Sequence, residues 1–306
     1  MIKDTYNLRF GNGQCLSLAA TADSSGWLEK FASILELERS LPDGHSKVVF
    51  SRKKIISDKG TPNSRNELAD ILGKDVPADA WSLYDARVLK IWYNIFLDDV
   101  ICEISAVANE DMDIIQMWHA LYSIYIKAQR TGGVPLHAGL IERDGRGIVI
   151  AAPGNTGKST CCRRIPPPRK ALCDDEVLII YDKIKGYLAH PFPTWSDYLW
   201  KRANNTWKVE KNVALDAVFF LEQAPVDEVE PVGGAMAAAL MNLSAHQAFF
   251  KGHAGRNPGG ETGRKKDLFN NVCRLVKAVP SFKLRCTLDG EFWVKIEEAL
   301  CARQGC

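Results

Sequence analysis

Apolar and polar positions along the chain follow one of two rhythms. In the first 108 residues, TYNLRF (5–10) and QCLSLAA (14–20) alternate or form short apolar runs around GNGQ, which predicts two strands joined by a tight turn. GWLEKFASILELE (26–38) repeats its apolar residues at helical spacing and predicts an amphipathic helix. ARVLKIWYN (86–94) and VICEISA (100–106) predict two further strands joined near LDD. Ahead of that pair, residues 53–83 are rich in Lys, Ser, Asp, Gly and Pro and read as loop with one short helix. EDMDIIQMWHALYSIYIKAQRTGG (110–133) carries the clearest helical pattern. Acidic residues crowd its first turn, Lys127 and Arg130 lie near its end, and Gly132 and Gly133 stop it. Ile114, Met117, Trp118, Leu121, Tyr122 and Tyr125 recur at helical spacing as a core face, with His119 a structural histidine among them.

Beyond that helix the rhythm shortens. PLHAGLIER (135–143), the turn DGRG and GIVIAAPG (147–154) predict a hairpin that runs into a glycine loop. A short helix, the strand DDEVLIIYD (174–182), a strand in KGYLA and the strand LDAVFFLEQ (215–223) follow. AMAAALMNLSAHQAFF (235–250) and KKDLFNNVCRLVKAV (265–279) predict helices, then SFKLRCTL a strand and EFWVKIEEALCAR a last helix. This order predicts an α/β protein: a smaller α+β region over residues 1–108 and a larger domain over 109–306, with the functional boundary between 108 and 133.

Composition narrows the partners. Apolar residues make up 46% and charged residues 25% of 306, the balance of a globular chain with a sizeable core. Lys and Arg number 39 against 37 Asp and Glu, so no chain-wide field draws in nucleic acid or an anionic membrane. No apolar run is long enough to span a bilayer, and MIKDTYNLRF lacks the apolar core of a secretory signal, which together point to the cytoplasm. The nine cysteines show no spacing of the kind that holds zinc. Cys102 and Cys286 sit in apolar runs as small hydrophobes. Cys161, beside Cys162, stands at the start of a short helix, where a thiol pKa falls.

The chemistry concentrates in residues 151–180. Ala152-Pro153-Gly154-Asn155-Thr156-Gly157-Lys158-Ser159 fits the Walker A pattern with Ala at its first glycine. The strand GIVIA enters it and a helix leaves it, the setting that aims successive backbone N–H groups at phosphate oxygens. Gly154 through Ser159 and Thr160 are therefore the predicted nucleotide contacts, with Lys158 on the β- and γ-phosphates and the Ser159 hydroxyl on Mg²⁺. Pro166-Pro167-Pro168 limits the exit helix to about two turns. The chain then returns to Asp174 and Asp175, a return long enough for a crossover into a parallel neighbouring strand. On a regular strand adjacent side chains point to opposite faces, so either the backbone is irregular there or the roles divide: one carboxylate holds Mg²⁺, the other takes the proton of an attacking hydroxyl.

HAGLIERDGRGIVIAAPGNTGKST…LCDDEVLI resembles the catalytic core of the HPr kinase/phosphorylase family: a histidine, a hairpin, a P-loop, then an Asp-Asp pair. The resemblance implies a P-loop core of the HPr-kinase/PEP-carboxykinase type, ATP and Mg²⁺ as cofactors, His137 beside the transferred phosphate, and metal ligand and base from Asp174 and Asp175. The family's E-[IV]-R-G-x-G segment is absent. HPFPTWSDYLW (190–200), LDAVFFLE and VPSFKLRCTLDGEFWVKIEEAL are more similar to the HPr-kinase-like proteins of peptide natural-product cassettes, including lasso-peptide tailoring kinases and the ScmC group. That likeness implies a cytoplasmic ATP-dependent serine kinase of peptide biosynthesis, with Asp174 and Ser159 on the metal and Asp175, His137 and Lys158 catalytic. Its acceptor is a serine of a peptide or small protein, and assembly as a homo-oligomer follows from the HPr kinase likeness. The alternatives are a kinase of free serine or another small alcohol, and a non-catalytic nucleotide-binding regulatory module. HPFPTWSDYLW is a candidate wall of a peptide groove, and HAGRNPGGETGRKK (253–266) reads as a glycine-rich loop offering Arg256 or Arg264 to the phosphates.

Overall fold

A computed structural model describes residues 2–41, 46–58, 61–62, 65–77, 79–94, 96–106, 109–201, 203–249 and 258–304. Two compact units emerge: residues 1–128, 195–210 and 250–266 form one, and residues 129–194, 211–249 and 267–306 the other.

The first unit carries β1 (Ile2–Arg9), β2 (Cys15–Thr21), α1 (Ser25–Ile34), β3 (Lys47–Ser51), the two-residue pair β4 (Ser57–Asp58) and β5 (Thr61–Pro62), α2 (Arg65–Leu72), β6 (Trp81–Asp85), β7 (Leu89–Asn94), β8 (Val100–Ile104) and most of α3 (Glu110–Gln129). Its six-stranded sheet has the order β1-β2-β3-β8-β7-β6, parallel across β2–β3 and β3–β8 and antiparallel elsewhere. Helix α1 buries Trp27, Leu28 and Phe31, and the rings of Trp27 and Phe31 meet Phe50 of β3. It ends four residues before the apolar pattern does, because Glu36 turns left-handed at φ 50°. Residues 53–83, read from sequence as loop with a helix, also hold the β4–β5 pair and the start of β6. Val49, Trp92 and Ile101 of this sheet pack with Leu68 and Ile71 of α2.

The second unit holds β9 (Val134–Arg143), β10 (Arg146–Ala151), α4 (Lys158–Arg164), β11 (Lys170–Cys173), β12 (Glu176–Asp182) and β13 (Gly186–Phe192). After α5 (Trp195–Leu199), which belongs to the first unit, come β14 (Val213–Gln223), β15 (Glu228–Pro231), α6 (Gly234–Phe249), α7 (Pro258–Ala278), which joins the second unit only from Asp267 onward, β16 (Ser281–Cys286) and α8 (Phe292–Gln304). The eight-stranded sheet runs β10-β9-β12-β13-β14-β16-β15, with β11 also beside β9. Because β10 pairs β14 as well, strands β9, β10, β12, β13 and β14 close a ring of pairings. Ile148, Ile150, Phe219 and Phe282 of this sheet form a core with Cys161 of α4 and Phe292 and Ile296 of α8.

The chain is therefore mixed α/β, with two large sheets and eight α-helices among the described residues. The units differ from a single cut after residue 108: most of α3 counts with the first unit, which also takes back 195–210 and 250–266. The crossover from the glycine loop also departs from expectation. The parallel neighbour of β10 is β14, while β12 runs antiparallel beside β9. Both edges of β10 are already taken, by its hairpin partner β9 and by β14, so the returning chain pairs on the far side of β9. The stretch read as a loop over 253–266 is helical from Pro258 onward, and residues 253–257, with Arg256, lie outside the described residues.

Candidate functional site

The apolar strand β10 delivers the chain at Ala151 into the glycine loop. Asn155 and Gly157 hold positive φ, 62° and 111°. Asparagine tolerates the left-handed region, but φ 111° is open in practice only to a residue without Cβ. The Thr156 hydroxyl donates to Pro153 O at 2.9 Å and stiffens the turn. Gly157 then starts α4 without a side-chain cap, so the amides of its first turn owe nothing to a capping side chain and the positive end of the helix faces the loop. Gly154 and Asn155 are exposed, and Ser159 and Thr160 stand half-buried in the first turn. The helix ends at Arg164, ahead of Pro166, as the proline run predicts.

Lys158 turns inward and is 6% exposed. Its Nζ donates to Ala152 O at 2.9 Å and Pro153 O at 3.3 Å, and lies 2.9 Å from His137 Nε2. An ammonium only donates, so Nε2 is the acceptor and the ring proton sits on Nδ1. That nitrogen is 3.1 Å from Asp175 Oδ1 and 3.1 Å from Asp175 O. A cation–imidazole–carboxylate chain thus runs from the glycine loop to the acidic pair. Burial pulls the Lys158 pKa below its ordinary value, and the charge of Asp175 opposes that shift.

The acidic pair occupies a bend between β11 and β12, two strands that run along the same side of β9. The irregular-backbone alternative is the one observed. Cys173 pairs Leu140 and Glu176 pairs His137, which sets the pair opposite Ala138 and Gly139; Ala138 N–H donates to Asp175 O at 2.9 Å. Gly139 makes this possible. A Cβ there would lie 2.4 Å from Cys162 Sγ of α4, 3.4 Å from Cys173 O and 3.5 Å from the Asp174 Cα. The missing side chain lets α4 and the acid bend both close on β9. Asp174 Oδ1 accepts a hydrogen bond from the Thr194 hydroxyl, and Ser244 of α6 donates to His137 O at 3.1 Å. Among the described residues no cluster of three His, Cys, Asp or Glu side chains could hold a metal, so a cation at Asp174 would need hydroxyl and ligand oxygens too.

Two clefts flank the loop. One, of about 500 Å³, lies between the loop, β14 and α6, with Leu240, Leu243, Ser244 and Gln247 on its helical wall. Among the described lining residues only Glu222 is charged, and Lys283 and Arg285 pair with it. The other, of about 470 Å³, lies on the α4 side and is lined by Gly157, Thr160, Cys161, Arg164, Cys286 and Leu288, among others.

A family model described as SynChlorMet cassette protein ScmC matches residues 100–301, more than half of the chain. The protein belongs to this ScmC family. Among curated proteins nothing matches it. The match to ScmC takes in the whole hairpin, glycine loop, acid bend and both clefts, and leaves most of the first sheet outside.

In this ScmC chain Lys158, His137 and Asp175 come together as the spacing suggested, with Asp174 adjacent and Ser159 on the next helical position. Thr194, Ser244 and Gly139 escaped the sequence reading. A glycine between apolar strand residues was the available signal for close approach. HPFPTWSDYLW is divided between the two units after Thr194. Its first residues complete β13, Thr194 holds Asp174, and Trp195 is buried in the first unit, stacked on Phe31. Arg264 is also committed elsewhere in the first unit, over the Tyr93 ring with its guanidinium bonded to the Tyr93 hydroxyl. No helix among the described residues is long and apolar enough to cross a membrane.

Proposed function

We propose that the protein is a Mg²⁺-dependent ATP:serine-hydroxyl phosphotransferase with an HPr-kinase/PEP-carboxykinase-like P-loop core. It acts on a serine of a peptide or small protein in peptide natural-product biosynthesis. The observation that carries this reading is the chain Lys158–His137–Asp175, which joins a left-handed glycine loop to a carboxylate through hydrogen-bond distances. A buried lysine beside an uncapped helix start supports a polyphosphate as its counter-ion, because a desolvated cation gains most from a bound anion.

In the reaction, the acceptor hydroxyl oxygen forms its bond to the γ-phosphorus as the bond from phosphorus to the bridging oxygen breaks. The hydroxyl proton passes to Asp175, which His137 Nδ1–H holds in place. Lys158 offsets the charge on the transferring group. Ser159 and Asp174 offer hard oxygen donors of the kind Mg²⁺ takes alongside phosphate oxygens, with Thr194 orienting Asp174. Bound there, Mg²⁺ would withdraw charge from the phosphates.

The cleft over α6 favours a peptidyl acceptor over free serine. A free amino acid carries an ammonium and a carboxylate, each of which needs a countercharge when desolvated, and the described lining offers only a carboxylate already paired with two cations. Leu240, Leu243 and Gln247 suit an uncharged backbone with an apolar neighbour. The test is transfer of labelled γ-phosphate to a panel of blocked serine peptides, free serine and small alcohols. A peptide should be labelled. Labelling of free serine alone would replace this reading with the small-molecule kinase, and nucleotide binding without any transfer would replace it with a regulatory module.

A further inference from the structure

Cys161 and Cys286 both line the second cleft. Cys161 belongs to α4, the helix that carries Lys158 and Ser159, and Cys286 is the last residue of β16. Both are 6% exposed, both belong to one buried core, both face the cleft that the loop residues Asn155 to Gly157 also wall, and each thiol perturbs the ionisation of the other. Neither sulfur has a part in the phosphate transfer described above. The neighbouring Cys162, equally buried, points elsewhere. Its sulfur sits in the gap above Gly139, 3.8 Å from Cys173 O, and does not line the cleft.

Two thiols that share one buried core and one cleft, brought there from distant parts of the chain, are a setting in which a disulfide can form. We propose that Cys161 and Cys286 form a reversible modification site, a disulfide made by hydrogen peroxide or an organic hydroperoxide. One sulfur attacks a peroxide oxygen, the O–O bond breaks, and a sulfenic acid and one water (or, from a hydroperoxide, one alcohol) result. The second thiol attacks that sulfur and expels its oxygen as water, so two thiols give up two electrons and two protons to one peroxide. The bond ties α4 to the end of β16 across the cleft beside the glycine loop. A dithiol reductant reverses it by thiol–disulfide exchange.

The full chain, treated with hydrogen peroxide, alkylated under denaturing conditions and digested without reductant, tests the site by mass spectrometry. A peptide cross-linked between Cys161 and Cys286 is expected. It should disappear with dithiothreitol and in Cys286→Ser, and persist in Cys162→Ser. In Cys286→Ser, dimedone should mark the sulfenic acid trapped on Cys161. Recovery of Cys161 and Cys286 as alkylated free thiols, at a peroxide dose that oxidises the exposed Cys301, would overturn the proposal, as would a cross-link that uses Cys162 instead.

Discussion

The glycine loop takes its shape from residues next to one another in sequence, whereas the acid bend takes its place from a strand laid down earlier in the chain. In the loop, Asn155 and Gly157 supply positive φ and Thr156 closes the turn on Pro153. At the bend, Asp174 and Asp175 have no such local device. They are held because β11 and β12 both pair with β9, because Gly139 leaves room, and because Thr194 and His137 bond the two carboxylates. Half of the site is thus a motif and half is tertiary packing. The two halves should fail differently under mutation.

The largest effects should come from the chain that joins the halves. Lys158→Ala and Asp175→Asn are each expected to lower single-turnover phosphate transfer by roughly a hundredfold or more, while the far-ultraviolet circular dichroism stays that of the parent. They should part on binding: Lys158→Ala weakens ATP affinity, and Asp175→Asn leaves it near the parent value. Equal loss of affinity in both would mean that loop and bend act as one binding surface, not as binder and base.

The next effect is structural and belongs to the bend alone. Gly139→Ala drives a methyl group into Cys162 Sγ and toward Cys173 O and Asp174, and should cost about 1–3 kcal/mol in chemical denaturation. Adding Cys162→Ala should restore part of that loss, because it removes the closest clash. If the single variant is as stable as the parent, the close approach of α4 to β9 is not what positions the acids.

This contrast also explains what sequence could reveal. The helix read over 110–133 and the hairpin around Asp144-Gly145 appear as α3 and β9–β10, since capping and turn residues act locally. His137, Lys158 and Asp175 were legible as a group only through their spacing and its family resemblance; their bonding chain depends on register across β9. KVVFS and WSLYD went unread as strands because each is five residues long amid polar, turn-rich sequence, and their pairing comes from β2, β8 and β7. The partner of β10 was misjudged for the same reason: nothing near Asp174 records that β14, far downstream, takes that edge. Trp195 and Arg264 attracted a functional reading by composition, yet each is consumed by packing in the first unit.

A smaller effect should separate the two carboxylates. Thr194→Val removes the donor to Asp174 and leaves Asp175 on His137. It should cost about 1 kcal/mol of stability and raise the Mg²⁺ concentration needed for half-maximal transfer, with little change at saturating metal. A drop in maximal transfer with unchanged Mg²⁺ dependence would reassign the base to Asp174.

The smallest concerns Lys158 and pH. Burial lowers its pKa in the folded chain, so as pH rises toward the ordinary value of 10.5 the unfolded chain holds that proton longer than the folded one. Folding stability from this group therefore increases with pH across that alkaline window. Denaturation midpoints of the parent and Lys158→Met should converge or diverge accordingly, the increment being absent in the variant. An identical pH profile for both would show that Lys158 is not desolvated.

The most direct measurement follows γ-labelled phosphate in a single turnover with Mg²⁺ and a blocked serine peptide, comparing the parent with Asp175→Asn after ATP affinity has been determined for each. The parent should place the label on serine, while the variant binds ATP comparably and leaves the peptide unlabelled. Undiminished labelling by the variant, or a parent chain that does not bind ATP, would contradict the assignment of loop and bend to phosphate transfer.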